Sequence, residues 1–125
     1  MGWEVEPRGL EEMLIDVHHR TGLPLVVTEN GAAYDDTARA ADGSVVDQDR
    51  IAYLREHIGA VERARAAGAD VRTYVAWTLL DNFEWAEGYT KKFGLVEVEP
   101  GTLRRVPKAS YDWYAQLIHA GRLIP

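Results

Sequence analysis

Two groups of acidic, amide and aromatic side chains follow apolar segments of the sequence and could carry out chemistry. The first is Glu29 with Asn30, directly after the run LVVT at 25–28, and the second is the segment WTLLDNFEW at 77–85. A carboxylate at a strand end can be a general acid, a nucleophile, a metal ligand or a hydrogen-bond partner for substrate hydroxyls. An ordinary exposed acid explains Glu29 equally well from this short segment alone, because short motifs also occur by chance.

The second group has the composition of a carbohydrate site. Trp77 and Trp85 offer indole faces for the apolar side of a sugar ring, and Glu84 and Asn82 offer groups that bind hydroxyls. The alternative is that both tryptophans belong to the core and that Glu84 is solvated. Trp77 fits that alternative, since it lies in the apolar run, but a tryptophan beside a glutamate in a loop fits it less well.

The elements that must position these groups alternate between helix and strand. Apolar spacing and end signals predict helices at 7–20, 48–67 and 110–120, with Asp47 as the N-cap of the second. Runs of β-branched and aromatic residues predict strands at 25–28 and 71–80, and a hairpin is predicted around a type II turn at Pro100-Gly101. The alternation indicates an α/β fold with parallel strands, in which both chemical groups lie at strand carboxyl ends.

The predicted elements leave too much surface uncovered for a complete domain. A sheet of two parallel strands has open edges and an uncovered face, so the sequence favours a part of a larger domain. The run LVVT has the pattern of a strand buried on both faces. Apolar spacing also predicts the inward-facing residues of the first and last helices: Leu10, Met13, Leu14 and Val17, and Tyr111, Tyr114, Ala115 and Ile118.

Composition and charge exclude several classes of partner. The net charge of -6 argues against nucleic acid, and no apolar run is long enough to cross a bilayer. Zero cysteines exclude disulfides and thiolate metal sites, and with no visible secretory signal they favour a cytoplasmic protein. No metal or cofactor is predicted. His18-His19 fits a helix end, and Asp35, Asp36 and Asp42 lack the spacing of a calcium loop and fit a solvated acidic loop.

Longer segments of the sequence resemble a known family. TENGAAYDD, the stretch from DRIAYL to EWAEGY, and KKFGLVEVE are similar to the C-terminal region of glycoside hydrolase family 1, the β-glucosidase family, and the resemblance extends back to MGWEVEPRGL. It implies the last part of a (β/α)8 TIM barrel, namely its strands 7 and 8 with flanking helices. Residues 1–125 are therefore expected to be a C-terminal fragment of a single glycosidase domain, with hydrolysis of β-glycosides and retention of configuration as the parent activity.

The resemblance also implies roles for five residues. Glu29 matches the nucleophile, Trp77 the aromatic platform under the sugar, and Glu84 the acid that binds hydroxyls at the far end of the sugar; Trp85 and Phe93 match further residues of that pocket. Retaining hydrolysis also needs a second carboxyl group about 5–5.5 Å from the nucleophile. The family's acid/base lies in an Asn-Glu-Pro motif, which these 125 residues do not contain. The isolated chain is therefore expected to be inactive or nearly so.

The expected partners are a β-glucoside or related small sugar and the missing N-terminal part of the barrel. Self-association through exposed strand edges is a further expectation. An interpretation from a different class is a non-catalytic sugar-binding module, or one subunit of a split barrel. The sequence leaves open whether glucosides, galactosides, fucosides or phosphorylated sugars are preferred. It also leaves the aglycone and the oligomeric state open.

Overall fold

The computed structural model describes residues 2–125 and arranges them in alternating helices and strands. Its elements are α1 (Pro7–Thr21), β1 (Leu25–Asn30), α2 (Gln48–Ala66), β2 (Val71–Ala76), a 3-10 turn (Trp85–Glu87), β3 (Val96–Val98), β4 (Arg105–Pro107) and α3 (Ala109–Ala120). The predicted α/β order, the three helices and the hairpin are confirmed. No helix among residues 2–125 combines the length and the hydropathy needed to span a membrane.

Strands β1 and β2 form a parallel ribbon whose carboxyl ends lie side by side. Val27 is opposite Tyr74, and Asn30 is opposite Ala76. Strand β2 ends at Ala76 rather than at the predicted Leu80, because the backbone after it pairs elsewhere. Thr78 N donates to Phe93 O at 3.3 Å, and Leu95 N donates to Thr78 O at 2.9 Å. This pairing places the segment around Phe93 beside the end of β2.

The hydrophobic core lies between this ribbon and the helices. One cluster joins α1, α2 and the ribbon, and a second joins α2, α3 and the segment at 95; their buried members are Leu14, Val27, Val61, Ala64, Ala69 and Val71, and Ile51, Leu54, Leu95 and Trp113. The other face of the ribbon is bare in this chain, where Val26 is 53% and Val75 45% exposed. The expectation of a strand covered on both faces is therefore wrong for the chain by itself.

Two of the helices present only part of the predicted apolar face to the core. In α1 the predicted Leu14 is buried and Leu10 packs against the same core cluster, whereas Met13 and Val17 are exposed. In α3 the buried residues are Ser110 and Trp113. The predicted inward positions of α3 instead line an open groove beside β2: Tyr111, Tyr114, Ala115 and Ile118. These helices have apolar residues on more than one side, and the chain covers one side of each.

The polar loop between β1 and α2 is held against the body of the structure. Arg39 Nη1 donates to Glu97 Oε2 at 2.6 Å, and its Nη2 donates to Oε1 at 2.8 Å. Asp35 and Asp42 are exposed, as a solvated acidic loop predicts. That prediction is wrong for Asp36, whose side chain is 3% exposed and paired with buried cations.

Candidate functional site

A cleft of about 330 Å³ opens at the carboxyl ends of β1 and β2. It is lined by Trp3, Glu29, Asn30, Gly31, Tyr53, Trp77, Glu84 and Phe93. Four of the five predicted site residues, namely Glu29, Trp77, Glu84 and Phe93, therefore share one cleft. Loops that follow neighbouring parallel strands converge at the same edge of a sheet, which explains why residues so distant in sequence meet here.

Glu29 is the penultimate residue of β1, and its side chain is exposed to the cleft. Its neighbour Asn30 joins the two strand ends. The Asn30 carbonyl accepts a hydrogen bond from Trp77 N at 2.9 Å, and its side-chain Oδ1 accepts one from the Tyr74 hydroxyl at 2.7 Å. Burial raises the pKa of Tyr74, so its hydroxyl remains a donor to Asn30 at neutral pH. The carboxylate thus projects from a strand end whose backbone is fixed.

Trp77 and Glu84 are joined directly across the cleft wall. Trp77 Nε1 donates to Glu84 Oε1 at 3.2 Å, which fixes the indole plane and engages one of the two carboxylate oxygens. Phe93 lines the same cleft and is buried. The site therefore combines one exposed carboxylate, one indole-bound carboxylate and aromatic surface, which is a set that can hold a sugar ring and present Glu29 to it.

Two glycines permit the close backbone contacts around the cleft. A Cβ atom on Gly31 would lie 1.8 Å from the Trp77 carbonyl oxygen, and one on Gly94 would lie 2.2 Å from Asp81 N. No side chain fits at either position. Both glycines belong to segments that sequence reasoning used, TENG and FGL, but their packing role depends on strand neighbours that a single sequence does not show.

Sequence reasoning missed Trp3 and Tyr53 as residues of the cleft. Tyr53 comes from α2 and stacks on His57 with ring centroids 3.8 Å apart; burial raises its pKa, so its hydroxyl stays protonated. Trp3 precedes α1 and is exposed beside the cleft. An indole in an otherwise acidic, polar segment was the signal available for Trp3. Tyr53 carried no separate signal, since it lies within a helix that apolar spacing assigns to packing.

Trp85 takes a different position from the other predicted site residues. It is not among the lining residues of the cleft, and its side chain is 88% exposed. Its backbone has φ 43°, in the left-handed region that bulky residues rarely adopt. Among residues 2–125, no group of three or more His, Asp or Glu side chains is placed to hold a metal ion.

Comparison with known proteins identifies the family. The model of "Glycosyl hydrolase family 1" matches residues 1–122. The chain belongs to this family. Among its family 1 relatives, the bifunctional β-D-glucosidase/β-D-fucosidase of Bifidobacterium breve is 50% identical over 128 residues, which cover 98% of this chain and 28% of the relative. Beta-glucosidase A of Thermotoga maritima is 47% identical over 119 residues, which cover 94% of this chain and 26% of the relative.

Solved structures of the family share the fold. The β-glucosidase of Thermotoga maritima in complex with glucoimidazole superposes with a TM-score of 0.95 and 44% sequence identity, covering 99% of this chain and 28% of that one. The fold described above is thus a part of a family 1 (β/α)8 barrel. The chain spans about 28% of the length of these relatives.

Proposed function

We propose that this chain provides the C-terminal part of the barrel of a retaining β-glycosidase, its strands 7 and 8, with Glu29 as the nucleophile. The observation that carries the proposal is the cleft itself, in which Glu29 lies at a fixed strand end facing Trp77, Glu84 and Phe93. The similarity to β-glucosidases over nearly the whole chain supports the reaction class.

The proposed chemistry divides the work between two carboxyl groups. The Glu29 carboxylate attacks the anomeric carbon and displaces the aglycone, and the resulting glycosyl ester is then hydrolysed by water. The displaced oxygen needs a proton from a second carboxyl group about 5–5.5 Å away. Glu84 is already bonded to the Trp77 indole, and we assign it to sugar hydroxyls instead. The acid/base is therefore supplied from outside residues 2–125, and the chain by itself is inactive or nearly so.

The proposed sugar subsite uses Trp77 as the platform and Glu84 as the hydroxyl acceptor. Phe93 adds apolar surface to the same subsite, since it lines the cleft while remaining buried. Trp85 contacts the same sugar or its surroundings. A non-glycine residue in a left-handed conformation costs about 1–3 kcal/mol and is concentrated at functional sites. Its exposed side chain, with φ 43°, is consistent with such a role.

The proposed protein partner is the remainder of the barrel. Parallel β1 and β2 have one bare face and two outer edges, and an eight-stranded barrel would cover all of them. A second candidate function is sugar binding without catalysis, because the hydrogen bond between Trp77 and Glu84 forms within this chain. The two candidates differ in whether the acid/base is present when the sugar binds.

The test joins this chain to the part of Thermotoga maritima β-glucosidase A that lies outside the region of similarity. The resulting chimera should hydrolyse an aryl β-glucoside with retention, and the chain alone should not. Glu29→Gln in the chimera should lower kcat by about 10³-fold or more, as removal of a nucleophile does. If that variant remains fully active, Glu29 is not the nucleophile. Sugar binding by an inactive, folded chimera would favour the binding module.

A further inference from the structure

A buried group of five charged side chains lies outside the lining of the cleft and has no part in the chemistry proposed above. This ionic cluster consists of Asp36, Asp47, Arg50, Asp81 and Lys108. No member is more than 6% exposed. The members come from the loop after β1, the start of α2, the loop after β2 and the residue before α3.

The cluster is held together by charge-assisted hydrogen bonds between these segments. Arg50 donates to both oxygens of Asp36, at 2.9 and 3.1 Å, and Lys108 Nζ donates to Asp36 Oδ2 at 2.6 Å and to Asp81 Oδ1 at 2.9 Å. Asp47 occupies the predicted N-cap position of α2, but its side chain makes no capping bond. Its carboxylate instead binds Arg50 and accepts hydrogen bonds from Ser110 N and Oγ, at 2.9 and 2.6 Å.

Both ends of the loop that carries Glu84 are attached to this cluster. At the outgoing end, Asp81 Oδ1 accepts from Gly94 N at 2.9 Å as well as from Lys108. At the returning end, the Lys92 carbonyl accepts from Arg50 Nη2 at 2.6 Å. Between these points the large side chains of the loop are mostly exposed: Phe83, Trp85 and Tyr89. The loop is closed by its own turn, in which Glu84 N donates to Gly88 O at 2.7 Å, and Trp77 Nε1 holds Glu84 from outside the loop. The position of the loop therefore depends on its two ends together with the hydrogen bond from Trp77.

The loop that follows Glu29 is attached to the same cluster. Asp36 belongs to that loop, and two residues earlier Tyr34 N donates to the Lys92 carbonyl at 3.2 Å. Burial of paired charges contributes little net stability, but it restricts the geometry of the groups involved, because a displaced charge would be left unpaired. Asp36 and Asp81 share Lys108 as a partner, so the two loops are joined through this lysine.

We infer that the ionic cluster is a positioning device that sets Glu84 relative to Glu29, and that it thereby governs selectivity among sugars that differ at the end Glu84 binds. This inference rests on the proposed function. Glucosides and fucosides differ at that end of the ring, since fucose is 6-deoxygalactose: it lacks the 6-hydroxyl group and its 4-hydroxyl group is axial rather than equatorial. Among the members of the cluster, Asp81 lies nearest to Glu84 in sequence, and it is paired with the buried Lys108. Asp81 is therefore the principal positioning residue.

The experiment measures kcat/KM for an aryl β-glucoside and an aryl β-fucoside with the chimera described above. Asp81→Asn retains the side-chain shape and an oxygen for Gly94 N but removes the charge that Lys108 binds. We expect a loss of about tenfold or more for the glucoside, since misplacement by about 1 Å can cost about 100-fold, and a smaller loss for the fucoside. Asp16→Asn is the matched control, because Asp16 lies in an exposed pair with Arg20 on α1.

A milder variant tests the same inference without removing a buried charge. Lys92 Nζ lies 3.9 Å from Asp81 Oδ2 and is partly exposed, so Lys92→Gln should fold and shift the glucoside/fucoside ratio in the same direction by a smaller factor. An unchanged ratio in both folded variants, or in Lys92→Gln alone if Asp81→Asn does not fold, would overturn the inference even if thermal stability falls. Glu84→Gln separates the two proposals: if it leaves the ratio unchanged, the role proposed for Glu84 is wrong.

Discussion

Gly31 contributes to the site through the side chain that it lacks. The Trp77 carbonyl occupies the space that a Cβ atom would need, which lets the ends of β1 and β2 meet with Asn30 O bonded to Trp77 N. The acid and the indole are thereby held on adjacent strand ends. The segment TENG thus needs a glycine at position 31, because the backbone after β2 packs closely against it beside Glu29.

Gly31→Ala is expected to destabilise the fold by about 1–3 kcal/mol, as overpacking does. It should also lower kcat of the chimera, because it moves Glu29 away from Trp77. The added methyl would lie 1.8 Å from a backbone oxygen, which cannot rotate away. Gly9→Ala is the control, because its Cβ would meet only Glu6 Cγ at 3.5 Å. Urea unfolding and initial rates measure both effects, and equal behaviour of the two variants would contradict the packing argument.

His57 makes stability depend on pH. Its Nδ1 lies 2.8 Å from the Tyr53 carbonyl, and since a carbonyl only accepts, Nδ1 carries a proton. Burial lowers the pKa of His57 below its ordinary value of 6.5. The unfolded chain therefore binds a proton before the folded chain does as pH falls, and stability is lost from about pH 6.5 downward to the folded pKa.

His57→Gln should weaken this pH dependence. The difference in Tm between pH 7.5 and pH 5.5 should be smaller in the variant than in the unmodified chain, as measured by circular dichroism. An identical pH dependence in the two proteins would exclude His57 as the titrating group.

At the residue scale, the sequence predicted which residues lie in the cleft better than it predicted the residues that support them. Glu29, Trp77, Glu84 and Phe93 followed from the family resemblance, and the structure brings them to one cleft. Asp36 was assigned to solvent because nothing in its neighbourhood in sequence indicates Arg50 or Lys108 as partners. Long-range ion pairs of this kind leave no periodic pattern in a single sequence.

Helix α2 is fixed at its N-terminus by the ionic cluster rather than by a capping bond. Arg50 is 2% exposed and contacts two carboxylates and the Lys92 carbonyl, so its charge contributes to three segments at once. Burial alone would lower the pKa of its guanidinium, but the hydrogen bonds to Asp36 and Asp47 raise the pKa above its usual value. The cation therefore stays charged in the interior.

Arg50→Met should destabilise the fold by about 3–5 kcal/mol, because it leaves Asp36 and Asp47 buried with fewer partners. Arg20→Met removes an arginine from an exposed pair on α1 and should leave the urea midpoint unchanged. The comparison requires equal m-values, so that midpoints report stability alone. A small loss from Arg50→Met would mean that water enters the cluster and replaces the guanidinium.

The elements themselves were largely predictable, since helix spacing and end signals are local. The faces of α1 and α3 that pack against the core could not be predicted in the same way. Apolar spacing identified Met13 in α1 and Ile118 in α3 as inward, but both are exposed. In a barrel each helix contacts a strand ribbon and two neighbouring helices, so its apolar surface is wider than this chain can cover.

At the scale of residues 2–125 together, the parallel ribbon has two unpaired outer edges and an uncovered face between them. Val26 and Val75 lie on that face, and the groove beside β2 is lined by aliphatic and aromatic side chains. Exposed strand edges next to apolar surface favour pairing with other chains. The overall barrel was available only from the family resemblance, because its closure depends on strands outside these residues.

The chain alone should therefore associate in solution. Size-exclusion chromatography with light scattering should show species larger than a monomer, and the double variant Val26→Lys/Val75→Lys should shift the distribution toward the monomer. Leu103→Lys, at an exposed position of the β3–β4 hairpin, should leave it unchanged. A monomer for the unmodified chain would show that the bare face is tolerated.

The ionic cluster also bears on how the gene can be recombined. Its charged members lie at positions 36, 47, 50, 81 and 108, and each is paired with at least one of the others. A crossover between two family members that falls before residue 36 transfers the whole group from one parent. A crossover between 50 and 81 takes Asp36 and Arg50 from one parent and Asp81 and Lys108 from the other. Any difference between the two parental backbones would then distort the hydrogen bonds that join these residues. Residues 36–108 are thus expected to be inherited as one block in shuffled libraries.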